Sequence, residues 1–397
     1  MLVWFYMRII QVISYGYVCG GAEASVLALT LALRKAGHQV SVLSGEAPGE
    51  QLFADQTFKP IAVDSPLKLL HHLWYMRSYT ALRKAIREFQ PDIVHFHTMT
   101  DCTPSVLFAL GSTPAVLTVH GPEEYTRSLL PWYLPATDFS EPFDLSTLTL
   151  IGRLHYLFYR YPQRLIYWLG FRRLARVIAP SKYIAKEIVP DMPVPITQIY
   201  NGIALPEAAP IETAPRVLYV GRLTKAKGVE YAIRAFALVL KQVPSARLVI
   251  AGEGSEHKYL EALIKELDIE YGVEMRGWVS EEDELARLYR EAQVVLVPSV
   301  WPENLPTVCI EAMAIGRPVV GTNTGGIPEL ITDEVSGFIV KMRDKEALAE
   351  SMIRILTDEP LRRSMGEHAR ERAGEFRIER FVSEILGVYE QVVSESK

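Results

Sequence analysis

Cysteine is scarce in this chain. Cys19, Cys102 and Cys309 are the only three in 397 residues. They are too few and too scattered for a disulfide framework or a zinc site, so a reducing cytoplasm is the expected compartment. No run reaches the roughly 18 uncharged apolar residues that a bilayer-spanning helix needs. The apolar opening Met-Leu-Val-Trp-Phe-Tyr-Met has no basic leader or small-residue cleavage site. It does not read as a signal peptide, and residues 1–6 read as a short extension before Met7. A basic excess is absent too. Net charge is −5, with 18 Lys/Arg against 15 Asp/Glu in residues 1–200 and 24 against 32 in the rest. That balance argues against a nucleic-acid-binding domain. Neither Gly20-Gly21 nor Gly252-Glu253-Gly254 completes a G-x-G-x-x-G fingerprint, which disfavours a dinucleotide oxidoreductase. No Asp-x-Asp pair is present to hold a metal diphosphate, and no metal requirement or cofactor is expected.

What is present is a repeated alternation of strand-like and helix-like segments, too long for one ordinary domain. Arg8 to Ser14, Gln39 to Ser44, Ile93 to His97, Ala115 to His120, Val177 to Pro180 and Ile196 to Tyr200 read as strands. Helical stretches lie at Ala22 to Lys35 and around Leu70 to Phe89. From Ala204 the composition turns to Pro, Ala and Glu, a linker signal. The alternation then restarts with strands Val217 to Val220, Arg247 to Ala251 and Val273 to Trp278. Ser280 reads as the cap of a helix with an acidic first turn. Strands separated by helices imply parallel sheets. The fold class is α/β, with two doubly wound Rossmann-like domains facing a cleft.

The richest stretch runs from Trp301 to Pro318. Glu303 lies on a Pro-bracketed loop after the apolar run Val294 to Val297, and Glu311 stands eight positions on, inside the helix that the loop opens. Pro306 suits the first helical position, where its missing N–H goes unmissed. The N–H groups of Leu305, Thr307 and Val308 would face the carboxyl end of the sheet as an anion site. Carboxylates would repel that anion but suit neutral hydroxyls, as on a sugar and a ribose. Asn304 sits among them. The turn Gly221-Arg222-Leu223-Thr224-Lys225-Ala226-Lys227-Gly228 brings two cations five residues apart, a match to a diphosphate; a solvated basic turn is the plain alternative. Gly20 and Gly21 would let backbone approach a ligand closely, or simply form a turn. His120 ends a strand and is suited to hydrogen-bond a substrate. With His95 and His97 it could form a zinc set, but second-shell carboxylates are not evident. A buried hydrogen bond is the better reading of His95. Gly325-Gly326 adds another helix start.

Residues 151–176 hold six arginines (Arg153, Arg160, Arg164, Arg172, Arg173, Arg176), seven aromatics and no acid. That mixture fits a helix at an anionic membrane surface, against the alternative of core aromatics beneath a solvated arginine face.

In combination, Gly20-Gly21-Ala22-Glu23, strand-end His120, the G-R-L-x-x-x-K-G turn and the E-x7-E pair resemble the family-four retaining glycosyltransferases of GT-B fold. The resemblance covers nearly the whole chain. It implies that Arg222 and Lys227 hold the donor diphosphate, Glu303 contacts the transferred sugar and Glu311 the ribose. Leu305, Pro306 and Thr307 would line the phosphate loop, with His120 near the donor sugar. It implies an acceptor domain over 1–203, a linker over 204–214, a nucleotide-sugar donor domain over 215–377 and a last helix, 378–397, crossing back to the first domain. The implied reaction moves a sugar, with retention by same-face attack, from a UDP-sugar to a saccharide, lipid-linked or small-molecule acceptor. The implied location is cytoplasmic or peripheral on the inner face of the plasma membrane. Alternatives are a GDP-mannose-dependent mannosyltransferase, a UDP-sugar epimerase of similar fold and a non-catalytic scaffold. The aromatic-basic insert after His120 departs from the family pattern.

Overall fold

The computed structural model describes residues 6–18, 20–47, 50, 52–61, 68–99, 102–121, 146, 148–206, 214–279 and 282–396. Cys19, the Ser280 cap, residues 1–5 and most of the linker lie outside them, as does 122–145. The chain divides into two compact units, residues 1–202 with 378–397, and residues 203–377.

The first unit is built on seven parallel strands: β1 (Arg8–Tyr15), β2 (Gln39–Gly45), β3 (Gln56–Phe58), β4 (Ile93–Phe96), β5 (Ala115–Thr118), β6 (Arg176–Ala179) and β7 (Ile196–Gln198). Their order is β3-β2-β1-β4-β5-β6-β7. Strands such as Ile-Val-His-Phe and Ala-Val-Leu-Thr are buried along their whole length. That follows from a parallel sheet covered on both faces. Helix α1 (Gly21–Lys35) follows β1, and α2 (Met76–Phe89) precedes β4. The expected single helix from Leu70 to Phe89 is broken: Lys68–His71 makes one turn, and Tyr75 then adopts extended angles at the start of α2. The Tyr75 hydroxyl donates to the Lys59 carbonyl at 2.8 Å, which anchors the break. After β5 come α3 (Leu150–Phe158) and α4 (Arg164–Phe171), joined by a π-turn at Tyr159–Gln163.

The second unit holds six parallel strands: β8 (Arg216–Val220), β9 (Arg247–Ala251), β10 (Val273–Gly277), β11 (Val294–Val297), β12 (Val319–Thr322) and β13 (Gly337–Val340). The order is β10-β9-β8-β11-β12-β13. Helix α5 (Val229–Gln242) follows β8, and the short α6 (Thr307–Ala314) follows β11. Its core includes Phe236, Val239, Leu248, Leu296 and Met352. The last helix, α7 (Ile378–Glu395), belongs to the first unit, where Phe381, Ile385, Leu386 and Tyr389 pack with Met7, Ile9, Leu29 and Leu33. Among the described residues no helix is long and apolar enough to cross a membrane.

Both sheets are doubly wound, and each has one switch point where the strand order reverses: β1/β4 in the first unit and β8/β11 in the second. Ligands of open α/β sheets bind beyond the carboxyl ends of strands at such a point, because the two following loops diverge there.

Candidate active site

The loops after β8 and β11 flank the second unit's switch point. The β8 loop ends at Gly228, whose φ of +64° is left-handed and where a Cβ would meet the Pro298 carbonyl oxygen at 2.1 Å. Only glycine allows so close an approach. The Ala226 carbonyl accepts from the N–H groups of Val300 at 2.9 Å and Trp301 at 3.1 Å, so the two loops are stitched together. A third loop, after β12, closes on them. Gly325 has φ +56°, and a Cβ there would lie 2.1 Å from the Glu303 carbonyl oxygen. The N–H of Gly326 donates to that same oxygen at 2.7 Å. Backbone from three strand ends thus fixes Glu303.

Its side chain is held as firmly. Lys227 Nζ donates to Glu303 Oε1 at 2.7 Å and Oε2 at 3.0 Å, and Ser299 Oγ donates to Oε1 at 2.5 Å. Ser299 is tied down in turn, because Thr322 Oγ1 donates to its carbonyl at 2.6 Å. Glu303 is only 8% exposed. Each carboxylate oxygen offers two lone pairs, so Oε2 keeps acceptor capacity while Oε1 is filled. The ammonium has three N–H groups, of which the carboxylate occupies two.

Pro306 caps α6 with φ −70° and ψ 114°, one residue ahead of the expected first helical position, which Thr307 takes. Leu305 is buried, while Asn304, Pro306 and Thr307 are half-buried. Glu311, one turn on, accepts from Tyr289 Oη at 2.6 Å. Burial raises its carboxyl, and hydrogen bonds from Tyr289 and Thr307 pull the other way. Cys309 lies buried in the same turn. Burial first, then the Glu303 and Glu311 charges, pushes its thiol up, so it is no nucleophile. Arg222 is exposed, and its backbone carbonyl accepts from the buried Tyr219 hydroxyl at 2.9 Å.

In the first unit, β4 ends at Phe96 and β5 at Thr118, so His97 and His120 stand on the loops beyond them rather than ending strands as read from sequence. His97 Nδ1 and His120 Nε2 are 3.2 Å apart, and one ring donates to the other. Burial lowers His120 to about 4 and His95 to about 3; both are neutral near pH 7. His95 is held inside by Tyr389 Oη at 2.5 Å and Thr118 Oγ1 at 2.7 Å. Among the described residues no group of three or more His, Cys, Asp or Glu is arranged to hold a metal. Gly20 caps α1 in extended conformation, and Gly21 is its first residue; both are exposed, while Glu23 is buried in the first turn.

Two family models account for most of the chain. Residues 204–372 match the glycosyl transferases group 1, and residues 19–206 match glycosyltransferase family 4. The chain belongs to this glycosyltransferase family. An uncharacterized glycosyltransferase of Methanocaldococcus jannaschii is 43% identical over 142 residues, 36% of either chain. The N-acetyl-alpha-D-glucosaminyl L-malate synthase of Bacillus anthracis is 34% identical over 203 residues, 51% of either chain. The chain thus spans about half or less of the length of these relatives. Among solved structures, sucrose-phosphate synthase of Thermosynechococcus elongatus aligns with a TM-score of 0.77 at 23% identity, over 98% of this chain and 99% of that one. Anabaena HepE in complex with UDP and glucose aligns with a TM-score of 0.70 at 19% identity, over 97% and 100%. These likenesses show a GT-B fold.

In this family member the sequence-predicted residues fall into two sets. Glu303, Lys227, Asn304, Leu305, Pro306, Thr307, Glu311 and Arg222 lie on the second unit's strand-end loops and the helix that one of them opens. Gly20 and Gly21, at the start of α1, and His120, on the loop after β5, lie in the first. The arrangement brings Lys227 onto Glu303. Sequence reasoning missed Ser299, Tyr289 and Thr322. Serine, tyrosine and threonine next to apolar runs carry no spacing signal; only the three-dimensional pairing reveals them. Gly325-Gly326 precedes a helix of four residues, Ile327–Leu330, so its role is the close approach to Glu303 rather than a helix N-terminus.

Proposed function

We propose that this protein transfers a sugar from a nucleotide diphosphate sugar, a UDP-sugar in the first place, to a hydroxyl of a saccharide, lipid-linked or small-molecule acceptor, with retention at the anomeric carbon. The observation that carries this reading is the Glu303 site. It is a carboxylate fixed by Lys227 and Ser299, with open acceptor capacity on Oε2, directly ahead of the helix that presents Glu311. Glu303 accepts hydrogen bonds from the hydroxyls of the transferred sugar, and Glu311 from those of the ribose. The remaining N–H of Lys227, the Arg222 guanidinium and the backbone around Leu305 to Thr307 stabilise the negative charge that grows on the departing diphosphate. Such fixed cations and dipoles supply what a divalent metal would otherwise supply. His120, neutral and tied to His97, donates to or accepts from the donor sugar. Gly20 and Gly21 admit the ligand to the first unit's backbone. The acceptor hydroxyl attacks from the face the diphosphate leaves, and its proton passes to the leaving phosphate.

The sugar-transfer names of the relatives and the UDP and glucose bound to HepE support this reading. The relatives include a putative colanic acid biosynthesis glycosyltransferase of Escherichia coli, 35% identical over 190 residues, which supports a role in polysaccharide assembly. A cytoplasmic site of action and membrane-surface contact through residues 151–176 accompany it. Calorimetric titration of UDP and of GDP, with and without EDTA, on the wild type and on Arg222→Ala tests the donor site. Metal-independent binding of UDP that weakens at least tenfold in the variant is the expected result. GDP binding alone would move the assignment to a GDP-mannose donor, and binding of neither would overturn the donor site.

A further inference from the structure

α3 is a helix of nine residues none of whose side chains is buried. Thr149 caps it, its Oγ1 accepting from the Gly152 N–H at 3.1 Å. Leu150, Leu154 and Leu157 on α3, Tyr161 on the π-turn, and Leu165 and Trp168 on α4 recur at spacings of four, three, four, four and three. All six are exposed, from 40% at Trp168 to 75% at Leu150. That is the period of one helical face. The π-turn adds a residue per turn, and the two consecutive spacings of four fall across it, so the stripe continues through it. The opposite side of α4 is ordinary core: Tyr167 and Phe171 are buried, and Gly170 lies against Leu107 so closely that a Cβ would come within 2.6 Å. The aromatics of this segment are therefore divided between the core and the surface.

The charges are sorted as well. No Asp or Glu occurs between Asp144 and Glu187. Arg164 is spent on an ion pair with the buried Asp191, and Arg176 donates to Thr197 at 3.2 Å. Arg160, Arg172 and Arg173 lie in no ion pair among the described residues. The Arg172 guanidinium lies 5.0 Å from the Trp168 ring and that of Arg160 5.8 Å from the Tyr161 ring. A long apolar stripe with arginines beside its aromatic residues matches the boundary of a bilayer, where acyl chains take the leucines and headgroup phosphates take the guanidinium groups. A second copy of this chain is the poorer occupant, because two such faces would bring together arginines with no acid between them.

We infer that residues 150–173 form a monotopic docking face that binds an anionic lipid membrane through its leucine stripe and flanking arginines. This deepens the membrane contact proposed above but requires no sugar transfer, so the two can fail separately. The test is flotation of the full-length protein with phosphatidylcholine vesicles, with and without phosphatidylglycerol. Binding to the anionic vesicles should exceed binding to neutral ones about tenfold or more and should weaken in high salt. Leu154→Glu and Leu165→Glu, both at exposed positions of the stripe, should abolish it while leaving the thermal midpoint and UDP binding unchanged. Arg160→Gln with Arg172→Gln should remove the preference for anionic lipid. Equal binding to both vesicle types, no binding to either, or binding unaltered in both leucine-face variants would overturn the inference. So would light scattering that shows a dimer dissociated by Leu154→Glu with no vesicle binding. Loss of UDP binding in Arg222→Ala alone would bear on the donor site and leave this face untouched.

Discussion

Lys227 and Glu303 are 76 residues apart in sequence and 2.7 Å apart in space, on the two loops that diverge at the second unit's switch point. The pair is largely withdrawn from solvent, with side chains 24% and 10% exposed. It joins a cation suited to phosphate with a carboxylate suited to sugar hydroxyls, so each can orient the other.

Replacing Glu303 by Ala should abolish transfer, with turnover falling at least about a hundredfold, while the fold is retained. Steady-state assay with a UDP-sugar, alongside far-UV circular dichroism, checks this. Normal turnover in the variant would remove Glu303 from the site.

Replacing Lys227 by Met leaves a buried carboxylate without its cation and should cost roughly 1–3 kcal/mol of stability. The double variant Lys227→Met/Glu303→Gln should recover most of that loss, since the uncompensated charge is gone, yet remain inactive. Urea denaturation of the four proteins of the cycle measures the coupling. Additive losses would mean that the contact contributes nothing.

Gly325→Ala should destabilise by about 1–3 kcal/mol, because its left-handed φ is costly to a Cβ and that Cβ would collide with the Glu303 backbone. Activity should fall with it. A crystal structure or an unchanged denaturation midpoint would expose a turn able to relax.

Stability should decline as pH drops below about 6.5. His120 and His95 are held at about 4 and about 3 when folded, against 6.5 in the unfolded chain. Between those values the unfolded chain binds protons that the folded one refuses, so acid favours unfolding. The share of the decline owed to these two should level off below about 3, and His97, which burial also holds well below its ordinary value, adds to the decline in the same direction. Denaturation curves at pH 7, 6 and 5 test the sign, and His95→Gln should flatten the slope even if it lowers stability throughout.

Cys309 should resist thiol reagents in the native protein and react on unfolding, since its thiol is both buried and raised. Mass spectrometry of the peptide after iodoacetamide treatment reads this directly. Rapid native labelling would mean that α6 opens.

The doubly wound architecture was legible because parallel strands buried on both faces are short apolar runs such as Val294-Val-Leu-Val297, which stand out between amphipathic helices. β3 and β13 did not stand out: three residues, Gln-Thr-Phe, and a glycine-led Gly-Phe-Ile-Val carry little pattern at a sheet edge. The spacing of Glu303 and Glu311 was visible in the sequence, but the mutual grip of Glu303 and Lys227 was not, because it depends on which loops the strand order makes neighbours. Ser299 and Tyr289 escaped for the same reason. Arg317 shows the limit from the other side. It reads as a basic residue in a loop, yet it is fully buried and donates to the carbonyls of Tyr289 and Arg290, near the end of the helix Glu282–Glu291 that leads into β11.

The second unit is an insertion within the first, since residues 203–377 interrupt a unit that resumes at Ile378. During synthesis the part of the chain that starts first therefore finishes last. The inserted unit has all its strands before α7 has been translated, whereas the first unit waits with the apolar patch of Ile9, Leu29 and Leu33 uncovered until Phe381, Ile385 and Tyr389 arrive. A nonsense mutation that removes Phe381 to Tyr389 would thus injure β1 and α1, and a chaperone would find its client surface around Ile9, Leu29 and Leu33.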